Sequence, residues 1–584
     1  MPTYILGVSA LYHDAAAVLL CDGVVVAGVQ EERFSRLKHD ATFPLRSAKW
    51  CMDRAGITAA DLTWLVFYEK PLRKFERILS TSVATFPKSW ASFPRQMRAW
   101  LGDKLWLRGN LCEAFGVPAS KLLFCEHHLS HAASAFYASP HHDAAILTVD
   151  GVGEWATTSL WRGRGSQIEP VAEVRFPHSL GLYYSAITAH LGFAVNEGEF
   201  KVMGMAAYGE PRFLEEMGPL LKVEPGGAFS VDLDYFAWHW HPTQSASPKL
   251  AQVLGAPRFP GTPFTPRQAP EGASLAEVEA SQRYADIAAT AQAQTEEVML
   301  HLVKHAHATV GTEALCLAGG VALNSVANHR VAAEGPYPHV WIQPAAGDAG
   351  GALGAALWVW HAVLGHPRGA SMTRADIGRD TPLSTSREIL DDLGARYVDV
   401  GDEAPERAGD DLAEGKVIGW MNGRCEWGPR ALGHRSILAD PRRAEMRDVV
   451  NVRVKFREPF RPFAPSVVAE AADRYFEIPA AAAAPSRFML STGPVREAAR
   501  ETLGAVTHVD GTARVQVVDA DTSPAYHRLI SQFGARTGVP VVLNTSFNLK
   551  GEPVVSSPVD AMASFVRSGL DLLYIDGLRV ERPK

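Results

Sequence analysis

With 584 residues, 47% hydrophobic and 21% charged, the chain is longer than one core usually holds, and two or three domains are expected. A net charge of −7 gives no global footprint for nucleic acid or an anionic membrane, so neither is expected as a partner. Six cysteines at 21, 51, 112, 125, 316 and 425 form no CxxC pair, and no basic segment leads an uninterrupted apolar run at the start, which together suit free thiols in a reducing cytoplasm.

Strand, turn and strand open the sequence: YILGVSA, LYHD, then AAAVLLCDGVVVAGV, with Asp22-Gly23 as a two-residue hairpin turn. The shape recurs from 144 as AAILTVDG, VGEW and ATTSLWRGRG. Each copy sets an acidic residue and small residues in a tight turn, a place where backbone N–H groups and a carboxylate can meet a phosphate or its metal. Between the copies lies EHHLSHAASAFYAS, residues 126–139, with three histidines in five positions. If helical, it puts His127 and His131 on one face, which is either half of a metal site or a pair of hydrogen-bonded imidazoles on a polar face.

A helical pattern from about Glu279 to Thr309 runs into a buried strand and glycine turn, ALCLAGGVALNSVANHRV. HVWIQPAAGDAGGALGAALWVW follows, a strand and then a helix start carrying Asp348; its glycines let backbone approach a nucleotide. The apolar stretch from 349 towards 368 is too short and glycine-rich to span a membrane and reads as a buried helix. Two hairpin turns, a GG loop and a GD loop in this order suggest the duplicated actin/Hsp70-like (ASKHA) α/β fold over residues 1–365.

Residues 366–386, rich in Pro, Gly, Ser and Arg, read as a linker, and a second α/β unit is expected over 387–584. That unit crowds cations: Arg424, Arg430, Arg435, Arg442, Arg453, Lys455, Arg457 and Arg461. A charge run is ordinarily a solvated face. Arg430 in GPRALG and Arg461 in FRPFAP, hemmed by Pro, Gly and apolar residues, instead suggest a buried anion clamp.

Taken together, GVSALYHDAAAVLL, EERFSRLKHD, HHLSHAASAFYAS, EFKVMGMAAYGEP, LAGGVALNSVAN, GDAGGALGAAL, WGPRALGHRSILADPR, FREPFRPFAP and LNTSFNLKGEP resemble the NodU/CmcH-type O-carbamoyltransferases across almost the whole chain. The resemblance implies a Kae1-like first domain and a YrdC-like second domain. The second would turn carbamoyl phosphate and ATP into carbamoyl-adenylate, and the first would pass the carbamoyl group to a hydroxyl of a small natural product or sugar.

The resemblance places Asp150 and Asp348 beside His127 and His131 as ligands of Fe(II), with Mn(II) and Zn(II) as alternatives and Mg(II) allowed as a companion of ATP. It sets Gly319, Gly320 and Asn324 around adenosine with Lys201 near the nucleotide, and His13 and Lys38 along the transfer site. Arg430, Lys455 and Arg461 would bind carbamoyl phosphate, with Asn544 and Ser546 nearby. A homodimer is one assembly this reading allows.

For the acceptor, segments 69–108 and 225–275 read either as a lid or wall or as solvated helices and a structural loop. Two rival functions remain at this stage: a threonylcarbamoylation-type enzyme acting on tRNA, and a non-catalytic nucleotide-binding scaffold on the actin-like fold. The scaffold needs neither the histidine pair nor the cation cluster.

Overall fold

A computed structural model describes residues 1–102, 104–268 and 272–582. The chain divides into two compact units, both of them discontinuous in sequence. The first comprises Met1–Ser9, Val18–Val24 and Ala55–Ser371, and the second Ala10–Ala17, Val25–Arg54 and Met372–Lys584.

Two five-stranded sheets carry the N-terminal half. One is built from β1 (Tyr4–Ser9), β2 (Ala16–Cys21), β3 (Val24–Gln30), β4 (Trp64–Phe67) and β5 (Leu122–Phe124), in the order β3-β2-β1-β4-β5. The other uses β6 (Asp143–Val149), β7 (Ala156–Arg164) and β8 (Gln167–Arg175) and, past a small hairpin of β9 (Leu221–Glu224) and β10 (Ala228–Val231), β11 (Ala314–Ala318) and β12 (His339–Ile342). Its order is β12-β11-β6-β7-β8, the same arrangement read from the other edge. In both, the first strand is central and pairs in parallel with the fourth, and the fourth pairs in parallel with the fifth. This duplication is the actin/Hsp70-like α/β fold expected from the repeated turns.

Local chemistry explains the pieces. Asp22 and Gly23 both take positive φ, +48° and +81°, the conformation a two-residue hairpin turn of this hand requires. The long helix starts at Leu275, ahead of the expected Glu279, because Ser274 and Glu277 form a capping box, and it runs to Val310 before left-handed Gly311 ends it. The apolar stretch after Asp348 is indeed a buried helix, Asp348–Trp358. Among the described residues no helix is long and apolar enough to cross a membrane.

The second unit is mixed α/β, as expected. Its eight-stranded sheet contains β13 (Tyr397–Asp399), β14 (Ile418–Met421), β15 (Arg435–Ala439) and β16 (Ala464–Val468). After a short hairpin of β17 (Gly493–Pro494) and β18 (Thr512–Ala513), β19 (Gln516–Val518), β20 (Val541–Ser546), β21 (Leu572–Ile575) and β22 (Leu578–Glu581) complete it. The order is β13-β22-β21-β14-β15-β20-β16-β19. Regular structure resumes after residue 371 with the helix Leu383–Asp392, which begins inside the 366–386 segment that reads as a linker and runs beyond it.

Segments near the N-terminus are built into this unit. The Arg36 guanidinium donates to Val554 O at 2.7 Å and Pro553 O at 2.9 Å, and Gly28 N–H donates to Ile377 O at 3.0 Å.

Candidate metal and anion sites

His127 and His131 lie one turn apart at the start of the helix His127–Ala138. That helix is capped from outside. Glu126, at the N-cap position, makes no side-chain cap, and both Glu154 carboxylate oxygens accept the His127 N–H at 3.1 Å. Glu154 comes from the VGEW turn between β6 and β7; it is a positioning residue the sequence reading missed, although an acid in that turn was visible. Gly153 beside it permits the approach, since a Cβ there would stand 2.9 Å from His128 Cδ2 and 3.0 Å from His127 Cδ2.

Asp150 follows β6, and Asp348 opens the helix Asp348–Trp358. The four side chains meet. His127 Nε2 is 3.0 Å from Asp150 Oδ2 and 3.2 Å from His131 Nε2, and His131 Nε2 is 3.6 Å from Asp348 Oδ1. One ligand atom from each residue lies within 4.8 Å of the other three, and all four residues are buried.

Two carboxylates and two imidazoles so close, away from water, require a shared positive charge. A proton can supply it: burial disfavours the imidazolium of His131, but hydrogen bonds to Asp150 and Asp348 and their charges outweigh that and push its pKa up to about 9. Burial opposes ionisation of Asp150, yet the two histidines hold its carboxyl well below the usual range. A divalent cation suits the same geometry, and two nitrogens with two carboxylate oxygens favour a first-row transition ion over calcium. His128 is buried beside the cluster. Its Nδ1 lies 2.8 Å from Thr148 Oγ1, and burial, reinforced by His127, lowers its pKa to about 3, so it stays neutral.

The glycine turn is fastened to this cluster. Gly319 sits at φ +93°, and a Cβ there would fall 2.2 Å from Val149 O. Gly320 N–H donates to Asp150 Oδ1 at 2.8 Å. Asn324 is engaged in local structure: it caps the helix Ser325–Glu334 and exchanges two hydrogen bonds with Gln292, at 3.0 and 3.1 Å. Lys201, on the helix Glu199–Ala206, has its ammonium 5.5 Å from the Phe193 ring centre.

In the second unit the crowded cations separate by role. Arg435 donates to the carbonyls of Asn422, His434, Arg379 and Gly423 at 2.9–3.3 Å, and Arg442 pairs with Asp440 at 2.7 Å. Arg424 is committed to the carbonyls of Gly378 and Val26. These three hold loops.

Arg430, Arg457, Arg461 and Arg514 instead gather their charges. Burial alone lowers the Arg430 pKa to about 10. Burial first, then Arg430 and Arg461, hold Arg514 far below its ordinary value; burial and Arg461 do the same to Arg457. Among the described residues Arg514 Nε is buried with no hydrogen-bond partner, and Glu458 lies 3.7 Å from Arg461. Arg514 was missed because it stands alone in TARVQVV, with no neighbouring motif.

The clamp loop is shaped by Glu426, whose Oε1 accepts the N–H groups of Leu432, His434 and Arg435 at 2.8–2.9 Å. Lys455 adds charge, but its ammonium is spent on Ser546 O, Asn548 O and Asn548 Oδ1 at 2.6–2.8 Å. Ser546 Oγ in turn donates to Asn548 Oδ1 at 2.8 Å. Asn544 Nδ2 faces Ala431 O, Ser466 Oγ and Gln516 Oε1 at 3.0–3.1 Å, bracing β20 against the same loop.

His13 and Lys38 belong to the second unit. Asp14 bridges two imidazoles, with Oδ2 3.0 Å from His13 Nδ1 and Oδ1 2.8 Å from His39 Nδ1. Burial opposes its ionisation, but those two histidines hold its carboxyl well below the usual range. Lys38 is among the charges that depress Lys455, after burial, Arg457 and Arg461.

The duplicated core defines an actin/Hsp70-like α/β protein with a second α/β unit in the same chain. Residues 4–357 match the carbamoyltransferase N-terminus family and residues 409–582 the carbamoyltransferase C-terminus family, and the chain belongs to the carbamoyltransferases. An uncharacterized protein of Synechocystis is 45% identical over 98% of this chain and 96% of its own length. The nodulation protein NolNO of Sinorhizobium fredii is 38% identical over 98% of this chain and 79% of its own. The 3'-hydroxymethylcephem-O-carbamoyltransferase of Amycolatopsis lactamdurans is 37% identical over 42% of this chain and 44% of its own. The protein is therefore an enzyme of carbamoyl transfer rather than a non-catalytic scaffold.

Proposed function

We propose that this carbamoyltransferase is ATP-dependent and O-directed: its YrdC-like second part makes carbamoyl-adenylate from carbamoyl phosphate and ATP, and its Kae1-like first part passes the carbamoyl group to a hydroxyl of a small natural product or sugar. The observation that carries this reading is the group of Arg430, Arg457, Arg461 and Arg514: burial lowers the pKa of Arg430, and burial with the charge of Arg461 lowers those of Arg457 and Arg514. Such a group is stabilised by a multiply charged anion, and guanidinium forks match phosphate oxygens. Oxygen as the acceptor atom is supported by the Amycolatopsis relative, whose name specifies O-carbamoylation.

In the activation step the arginines hold the phosphate of carbamoyl phosphate as water releases it, leaving carbamate. A carbamate oxygen then attacks the α-phosphorus of ATP, and pyrophosphate leaves. Arginine charge neutralises the departing phosphates.

For transfer, His127, His131, Asp150 and Asp348 would hold a divalent ion, with iron favoured by resemblance and manganese and zinc as alternatives. Such an ion supplies electrostatic anchoring of phosphate oxygens and polarisation of the carbonyl. By resemblance, Gly319 and Gly320 would face the nucleoside at the same cluster. His13 is assigned to the acceptor hydroxyl by resemblance alone; within the second unit its Nδ1 is held by Asp14, so that Nε2 presents its lone pair. The acceptor oxygen then bonds to the carbamoyl carbon and AMP departs.

Carbamoyl phosphate and ATP without acceptor should release pyrophosphate, measured by a coupled phosphate assay. Arg514→Ala should lower that release by on the order of 10²–10³, as loss of one preorganised charge in a buried site does. His127→Ala should spare much of it while metal content and acceptor carbamoylation, read by mass spectrometry, fall together. Absence of acceptor-free pyrophosphate from the intact enzyme would sink the adenylate route.

A further inference from the structure

The surface between residues 70 and 108 is inside out. On the helix Pro71–Ala84 and the turns after it, Arg77, Ser82, Ser89 and Ser92 are buried, whereas Leu72, Val83, Phe86 and Trp90 each expose more than three-fifths of their area. The inward hydroxyls are hydrogen-bonded, Ser82 Oγ to Ile78 O at 2.7 Å and Ser92 Oγ to Trp240 O at 2.9 Å, and the Arg77 guanidinium lies 4.8 Å from the Phe176 ring centre. Leu72, Leu79, Val83 and Phe86 recur at spacings of 7, 4 and 3, so the exposed apolar residues form one stripe. Trp106, also more than three-fifths exposed, adds a second indole. A stripe of this kind with its polar residues turned inward marks a face built to be covered.

Charge selects what covers it. Residues 69–108 hold nine Lys or Arg against three acids in a chain whose net charge is −7; Arg77 is buried and Lys74 pairs with Glu69, while Arg73, Lys88, Arg95, Arg98 and Arg108 are exposed and leave the surface here basic. A second copy meeting this face through a twofold axis would set like charge on like charge, which costs several kcal/mol. A nucleic acid would satisfy the cations and stack on the indoles but has no use for Leu72, Leu79 and Val83. Anionic lipid satisfies all three: cations to headgroups, indoles to the interfacial layer, aliphatic side chains to the acyl boundary. We propose that the 70–108 face docks the enzyme reversibly on an anionic bilayer surface. The whole-chain charge conceals this, which is why composition argued against a membrane partner.

The full-length protein is pelleted with sucrose-loaded vesicles of phosphatidylcholine, alone or with about 30 mol% phosphatidylglycerol, at about 50 and about 500 mM salt. Binding to the anionic vesicles at low salt, on the order of tenfold above neutral vesicles and lost at high salt, is expected. Arg95→Glu with Arg98→Glu, and separately Trp90→Ser with Trp106→Ser, should each lower it by on the order of tenfold while the thermal midpoint holds. No binding by the unmodified protein, or binding that survives both double variants, overturns the proposal. So does a dimer in light scattering that Trp90→Ser with Trp106→Ser dissolves, or tRNA binding that the arginine variants abolish, when vesicles are not bound.

Discussion

At the scale of single residues, His131 carries the clearest pH consequence. Its pKa is raised from an ordinary value of 6.5 to about 9, because the bonds and charges of Asp150 and Asp348 overcome burial. The folded chain therefore binds a proton there more tightly than the unfolded chain. That stabilisation is complete below pH about 6.5 and disappears as pH rises through about 9. A metal ion must displace this proton, so apparent affinity for Zn(II) or Fe(II) should climb about tenfold per pH unit towards that value and level off above it. Titration calorimetry in buffers of different ionisation enthalpy reads the released proton directly. A pH-independent affinity between 6.5 and 8.5 would contradict the assignment.

At the scale of elements, small residues decide where the ligands meet. The helices His127–Ala138 and Asp348–Trp358 touch through glycine: a Cβ on Gly354 would fall 1.7 Å from Ser130 O, and one on Gly351 would fall 3.1 Å from Ser130 Oγ. The first helix brings both imidazoles and the second brings Asp348, so their separation fixes the cluster. Gly354→Val should wedge them apart, costing about 1–3 kcal/mol from overpacking. It touches no ligand, yet it should lower metal content measured by mass spectrometry, whereas Gly369→Val, with open space around it and an ordinary φ, should not. Equal metal content in the two variants would show that helix spacing does not govern the site.

At the scale of the whole molecule, the second unit is not a contiguous C-terminal piece. It includes residues 10–17 and 25–54, tied in by Arg36 to Val554 and Pro553 and by Val26 to Arg424. A fragment of residues 387–584 would lose these partners and leave buried apolar surface bare. We expect it to lack a cooperative thermal transition and to aggregate. A soluble fragment with a sharp calorimetric peak would refute that dependence.

By itself the sequence determined what repeats and what is locally encoded. Two acidic hairpin turns, a GG loop and a GD loop specify the duplicated sheets, because Asp22-Gly23 and similar pairs dictate their turns within a few residues. The i, i+4 histidines predicted one half of the buried cluster for the same reason. Asp150 and Asp348 could be placed beside them only by resemblance.

Only the tertiary structure decided the rest. Glu154 caps a helix from a distant turn, Arg514 joins Arg430 from a remote stretch of the sequence, and Arg435, alike in sequence to its neighbours, proves to be a loop tie. None of these roles has a local pattern, since each depends on which long-range contact satisfies a buried charge. The same holds for the basic apolar face: composition averages charge over the chain, whereas folding sorts side chains by exposure, and only the sorted surface meets a partner.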